Sequence, residues 1–349
     1  MRSLAAVGVV AIGAASADAL GAPAWLAGAL AGVALLPVAE LMADGLEDAC
    51  AHAGARAGTA LRAVLGSAPH LVLGSLALRN GLPDIVKASV TGAILTSLLL
   101  SLGTGFLIGG ARHGRQYFSR EQAAMASTLM MIAAVALGLP TLVGRLVPVR
   151  NTGPVEALSE VVAGVMLVLF ALAVYHGIAS ADDEVSPLAV PSAPARYGLL
   201  RAGVTIAATA AALVVLGDRF FAAVPLLVAR LGLSPMFLGI VVLPLAGTVH
   251  AHLEGLEQAW RNRIDLTLSL ALGASLRSAL LVGPMLVFAS LLLRRPMDLV
   301  FAPLELAALI TASGITTLVA HDGQSNWLEG AMLIGVWGML AAAFYWWPA

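Results

Sequence analysis

Two short stretches hold the residue types from which an ion site is built. Gly66-Ser67-Ala68-Pro69-His70-Leu71 interrupts an apolar segment with small and hydroxylic residues, a proline and an ionisable imidazole. Gly247-Thr248-Val249-His250-Ala251-His252 does the same 181 positions later. A proline removes a backbone donor, and an ionisable group at membrane depth can mark an ion or proton pathway. His70 therefore reads either as a ligand or proton carrier, or as the satisfied histidine of a kinked helix. Past the second stretch come Glu254 and Glu257, three and six residues beyond Ala251, with His250 four before Glu254, so one helix face carries imidazole and carboxylate together. His250, His252 and Glu254 would suit a transition metal such as zinc better than calcium. The alternative is the wet end of a helix that runs on to Arg261 and Arg263. Arg277 lies within an apolar run, where a guanidinium seldom faces lipid. Thr96, Ser97 and Ser278 add hydroxyls to the same candidate pathway.

The elements that must position these residues are membrane helices. Of 349 residues, 60% are hydrophobic and 11% charged, with a mean hydropathy of +0.93; soluble domains carry roughly 25% charged residues. The fold class is all-α and polytopic. A net charge of −1 gives no footprint for nucleic acid. The single cysteine, Cys50, forms no internal disulfide or thiolate cluster and is expected as a small buried residue. No cofactor is expected. The partners are an inorganic ion, protons and the lipid bilayer.

Apolar runs of about the length that crosses a bilayer predict eleven spans: Leu4–Leu20, Trp25–Met42, Val64–Leu78, Ala88–Gly110, Gln122–Val143, Val155–His176, Val204–Leu216, Met236–Leu253, Leu266–Leu293, Leu299–Ala320 and Trp327–Trp347. The first also fits a cleaved signal peptide, and a retained helix is the preferred reading. Asp44, Glu47, Asp48, His52, Arg56 and Arg62 predict an interfacial or cavity-lining helix between the second and third spans. Phe220–Leu231 predicts a short helix beside the seventh. The fourth span is rich in small and hydroxyl residues suited to close packing. The acidic, proline-bearing stretch Ser180–Ala195 is the one clear boundary. The division is thus an N-terminal helix at 1–22, a first half at 23–178, a linker at 179–197 and a second half at 198–349. With a cytoplasmic N-terminus, ten Lys or Arg fall on the inner side and eight on the outer; the Arg112–Arg120 cluster favours this orientation in a bacterial plasma membrane.

At the offset of 181, Gly66 matches Gly247, Ser67 matches Thr248, Asp84 matches Asp265, Gly92 matches Gly273, Leu95 matches Leu276 and Ser97 matches Ser278. An odd number of spans separates the copies, so they run through the membrane in opposite senses. Such inverted repeats place a site between the halves and accompany alternating access. Gly66, Pro69, Gly92, Gly247 and Gly273 are its structural residues.

These motifs also resemble a known family. Gly66–Leu71, Leu231-Gly232-Leu233-Ser234-Pro235-Met236-Phe237-Leu238-Gly239 with Leu243-Pro244, and Asp322-Gly323-Gln324-Ser325-Asn326-Trp327-Leu328-Glu329-Gly330 are similar to the calcium/proton exchangers of the calcium:cation antiporter superfamily, from about Leu35 onward. The resemblance implies one plus two inverted sets of five helices and a cytoplasmic linker after the sixth. It also implies Gly-Asn-Ala-x-Glu in each repeat, whose glutamates bind cation and proton. Here Ser67 and Thr248 stand at the asparagine positions, His70 and Ala251 at the glutamate positions, and Arg277 at an amide position. Calcium takes six to eight oxygen ligands, so ordinary calcium/proton exchange is not what these residues imply. The expectation is an antiporter with an altered ion site. The alternatives are a transporter of a transition metal or an anion, and a transport-inactive homologue that binds a partner or senses. Enzyme signatures such as His-Glu-x-x-His and Gly-x-Ser-x-Gly are absent.

Overall fold

The structure is a computed structural model that describes residues 8, 11–13, 21–146, 153–179, 188 and 194–346. The helices in chain order are α1 (Ala24–Ala51), α2 (Ala55–Leu65), α3 (Ala68–Arg79), α4 (Pro83–Leu95), α5 (Leu102–His113), α6 (Arg120–Leu146), α7 (Gly153–Ala179), α8 (Leu199–Leu231), α9 (Pro235–Phe237), α10 (Leu243–Trp260), α11 (Ile264–Arg277), α12 (Gly283–Leu292), α13 (Pro303–Ala320) and α14 (Trp327–Tyr345). Two-residue strands β1 (Gln116–Tyr117) and β2 (Gln324–Ser325) pair antiparallel. Nine helical stretches among the described residues are long and apolar enough to cross a membrane, and the pair Pro235–Leu245 and Gly247–Trp260, bent by 49°, makes a tenth. The expected N-terminal span and most of the 179–197 linker lie outside the described residues.

Several expected boundaries move. The second span does not stop at Met42 but runs to Ala51, carrying Asp44, Glu47 and Asp48 with it. The charges of Arg56 and Arg62 sit on α2, the first part of a single broken span Ala55–Arg79, and not on a separate interfacial helix. The seventh span and its expected short neighbour are one helix, Leu199–Leu231, that continues through Pro225. In each case a charge that would be costly in lipid has a partner: Arg62 meets Glu47 and Glu254, and Asp218 of α8 meets Arg79.

The sequence repeat is also a backbone repeat. The turn after α3 closes with Leu82 N–H on the Ala77 carbonyl at 3.0 Å, and the turn after α10 closes with Arg263 N–H on the Gln258 carbonyl at 2.9 Å. Both put one residue in the left-handed region, Gly81 at φ 75° and Asn262 at φ 60°, the two residue types that tolerate it most readily. The offset between them is again 181. Between α4 and α5 the helix widens to a π turn at Thr96–Ser101, and between α11 and α12 at Ser278–Val282, at nearly the same offset. A third π turn, Leu238–Val242, precedes Pro244. Pro244 and Pro284 supply no N–H to the carbonyls of Ile240 and Leu280, which accounts for widening at the second and third turns.

Helices α1 and α8 pack antiparallel, with Gly28 against Ala223 and Gly45 against Thr205. This small-residue seam lets backbones approach where lipid supplies no hydrophobic drive. The exchanger-like motifs near residues 232 and 324 prove to be structural. Gly232 closes α8 in the left-handed region, Ser234 caps α9 and donates to the Phe344 carbonyl at 3.0 Å, and Asn326 caps α14 by accepting from Leu328 and Glu329 N–H.

Candidate functional site

The two opening motifs meet. Helix α2 ends at Gly66, Ser67 occupies the break, and α3 starts with Ala68-Pro69, so His70 sits in the first turn of a new helix. A Cβ on Gly247 would lie 3.0–3.1 Å from Cγ and Cβ of His70, so glycine there lets the histidine of one repeat rest on the backbone of the other. The His70 ring is buried, its Nε2 3.3 Å from the hydroxyl of Ser89, which itself donates to the Val86 carbonyl. Ser89 thus accepts from His70, which fixes the ring. Thr248 donates to the Pro244 carbonyl at 2.8 Å.

Around this crossing lies a cavity of about 900 Å³, its open mouth included, lined among others by Ser67, His70, Thr248, Ala251, Arg277 and Ser278. The three positions at which the chain departs from the exchanger pattern, His70, Ala251 and Arg277, therefore share one space. Gly66, Pro69, Gly247, His250 and Glu254 line it too, as do Glu47, Cys50 and Arg62. Cys50 is buried as expected.

The charges converge on Arg62. Its guanidinium is 2.8 Å from Glu254 and 3.3 Å from Glu47, with side chains only 14%, 24% and 11% exposed. The two ring nitrogens of His250 lie 3.5 Å from Asp44 and 3.5 Å from Glu47. At the mouth, Arg196 donates its backbone N–H to Asp48 at 2.8 Å. Leu188 also lines the cavity, so part of the 179–197 segment reaches into it. Two carboxylates and two guanidiniums line the space, which brings the wall near neutrality with the histidines uncharged.

Some expected members stand elsewhere. His252 points to the π turn before α5, its Nδ1 2.5 Å from the Ser101 hydroxyl, and does not join His250 and Glu254; helix positions two apart, such as 250 and 252, face nearly opposite ways. Glu257 is at the wet end, paired with Arg261 at 2.6 Å. Thr96, Ser97 and Gly92 are buried on the span from Pro83 to His113 and Gly273 on α11, and none of the four lines the cavity. The hydroxyls of Thr96 and Ser97 have no hydrogen-bond partner among the described residues. Glu47 and Arg62, expected on an interfacial or cavity-lining helix, do line the cavity, and Asp44 stands beside them against His250. Their signal was present as charges flanking the first motif, with Asp44 and Glu47 spaced i, i+3.

A profile of the family described as sodium/calcium exchanger protein matches residues 23–179 and 202–346. The chain belongs to the sodium/calcium exchanger family. This exchanger-family chain is 32% identical over 307 residues to a protein named Ca(2+)/H(+) antiporter from Aphanothece halophytica, covering 83% of this chain and 82% of that one. It is 32% identical over 341 residues to the Ca(2+)/H(+) antiporter of Synechocystis sp., covering 91% and 90%. Its fold matches the solved structure of native YfkE with a TM-score of 0.84 at 26% identity, over 97% of this chain and 98% of that one. The exchanger family is one of multi-pass membrane proteins, and ten apolar spans accord with it.

Proposed function

We propose that this exchanger-family chain exchanges a cation for protons by alternating access. We further propose that its ion site has moved from the two motif positions to carboxylates about one turn nearer the cavity mouth, Glu47 and Glu254. The observation that carries this reading is Arg62. A guanidinium held between two carboxylates at 2.8 and 3.3 Å occupies a place where positive charge is stabilised, and a bound cation would compete with it there. The names of the relatives, Ca(2+)/H(+) antiporters, support the coupling to protons. The halves 23–178 and 198–349 are the two inverted repeats, joined by the 179–197 linker. The cavity opens where α1 ends and α10 approaches its own end. Arg112 stacks on Trp260 at that end, 4.0 Å from the ring centroid, and the basic cluster Arg112–Arg120 supports reading it as the cytoplasmic end. The chain works as a transporter.

Reconstitution tests the reading. Protein in liposomes loaded with a pH-sensitive dye and placed in calcium, manganese or zinc should move protons in response to at least one cation. A folded protein that moves neither protons nor any cation would reject antiport and favour a transport-inactive, partner-binding homologue.

The departures from the exchanger pattern yield a second expectation. Because His70, Ala251 and Arg277 line one cavity, the triple variant His70→Glu, Ala251→Glu, Arg277→Gln replaces one guanidinium by a neutral amide and adds two carboxylates. It should acquire saturable calcium binding by isothermal titration that the parent lacks. Absence of such binding in a monodisperse variant would show that the ancestral geometry has gone along with the ligands.

A further inference from the structure

We infer that Asp44, Glu47 and His250 form a binding site for a divalent first-row transition cation, with zinc the reference ion. The inference relies on the antiporter reading only in taking this cation to be the cargo at its loading position. One ligand atom from each of the three residues can be chosen so that all lie within 4.8 Å of one another. In a shell with bonds of about 2.0–2.2 Å, ligand atoms stand roughly 3.4 Å apart, so closure from separations of up to 4.8 Å requires shifts of about 1.4 Å, with one carboxylate turning to the ring nitrogen that the other faces. The i, i+3 spacing puts Asp44 and Glu47 on one face of α1. His250 is presented across the gap by α10, its nitrogens already 3.5 Å from each carboxylate.

Charge and coordination choose the ion class. Two carboxylates neutralise a dication, and Arg62 keeps its shorter contact with Glu254 at 2.8 Å, so no buried charge is stranded when Glu47 turns to the metal. Three protein ligands including an imidazole suit zinc or cobalt, with remaining positions left to water. Calcium, which takes six to eight oxygens, is poorly served by two carboxylates and a nitrogen. Three protein ligands and an open wall also allow release, as cargo requires.

The site belongs to one half only. At the offset of 181, His250 corresponds to Pro69, Asp44 to Pro225 and Glu47 to Val228. The repeat therefore provides no second copy, and the cation meets this site from the mouth nearest Ala51 alone.

The competing account of the same geometry is an ion-pair network in which a charged His250 bridges Asp44 and Glu47. Titration of the purified full-length chain in detergent with zinc chloride or cobalt chloride separates the two. The expected result is one saturable ion per chain, a visible cobalt spectrum of a low-coordinate nitrogen- and oxygen-ligated ion, and no displacement by equimolar calcium. His250→Gln and Glu47→Gln should each weaken zinc by tenfold or more, whereas His176→Gln, at an exposed histidine of α7 away from the cavity, should leave affinity and spectrum unchanged. Absence of saturable binding, or full affinity in both ligand variants, would overturn the site. Thermal unfolding of each variant without metal verifies that it is folded. Paired liposome assays keep the two readings apart: zinc bound as expected with no flux retains the site and rejects antiport. Proton-coupled calcium flux without a zinc site does the reverse.

Discussion

Glu254→Gln is expected to abolish cation-driven proton flux in liposomes while leaving the protein folded. Glu254 lies three residues beyond Ala251, so it is the first carboxylate that α10 presents past the vacated motif position, and it faces Arg62 at 2.8 Å. Removing one negative charge from about 4 Å of a cation weakens its binding by about 4 kcal/mol per unit of cation charge at an effective dielectric near 20. That is roughly a thousandfold for a monovalent ion and more for a divalent one. Arg62, released from Glu254, adds to the repulsion. The cost in stability is smaller, because Arg62 retains Glu47 at 3.3 Å and glutamine still offers it an acceptor oxygen; with side chains 14% and 24% exposed, about 1–3 kcal/mol is the scale. Flux and melting temperature should therefore separate. Glu254→Asp, which keeps the charge, should retain measurable flux. Wild-type flux from Glu254→Gln would remove Glu254 from the ion site.

The largest stability effect belongs to Gly92. A Cβ there would stand 2.1 Å from the carbonyl oxygen of Ile240 and 2.6 Å from its carbonyl carbon and Cα. All three are backbone atoms, so no rotamer relieves the clash. Ile240 lies in the π turn that precedes Pro244, where the helix from the second half crosses α4. Gly92→Ala must push these two spans apart, at an expected cost of about 3 kcal/mol or more, a loss of roughly 4 °C or more in melting temperature for a chain of this length. Gly164→Ala is the control. Nothing lies within 4 Å of its Cβ position, and alanine in an open helix position is favoured over glycine by up to about 1 kcal/mol. Equal melting temperatures for Gly92→Ala and the parent would show that the crossing is not so close. Because α4 and the Leu238–Val242 turn come from opposite halves, the same variant should slow transport even where it folds.

The repeat was legible because backbone requirements leave local marks. A left-handed turn favours glycine or asparagine, and Gly81 and Asn262 stand 181 positions apart in two matching turns. Likewise the interrupted helices could be read from Gly66, Ser67 and Pro69, whose effects are confined to their own turn. The convergence of His70, Ala251 and Arg277 followed from the repeat, since two inverted copies meet at their motifs.

What sequence could not decide is which charges pair. Hydropathy treats Asp44, Glu47 and Arg62 as ends of spans, since an isolated charge in hydrocarbon is costly. In the folded chain Arg62 sits between Glu47 and Glu254, 192 positions from the latter, and the helices continue past their charges. That distance depends on how α1 crosses α10. Residue type and spacing fix which face of a helix a side chain occupies, as they did for His250 and Glu254, and also for His252, which turns away to Ser101. The sequence alone thus determined the membrane class, the repeat and the altered motif. Only the tertiary structure decided that the missing glutamates have carboxylate neighbours, because a contact between distant helices is set by their crossing and not by either one alone.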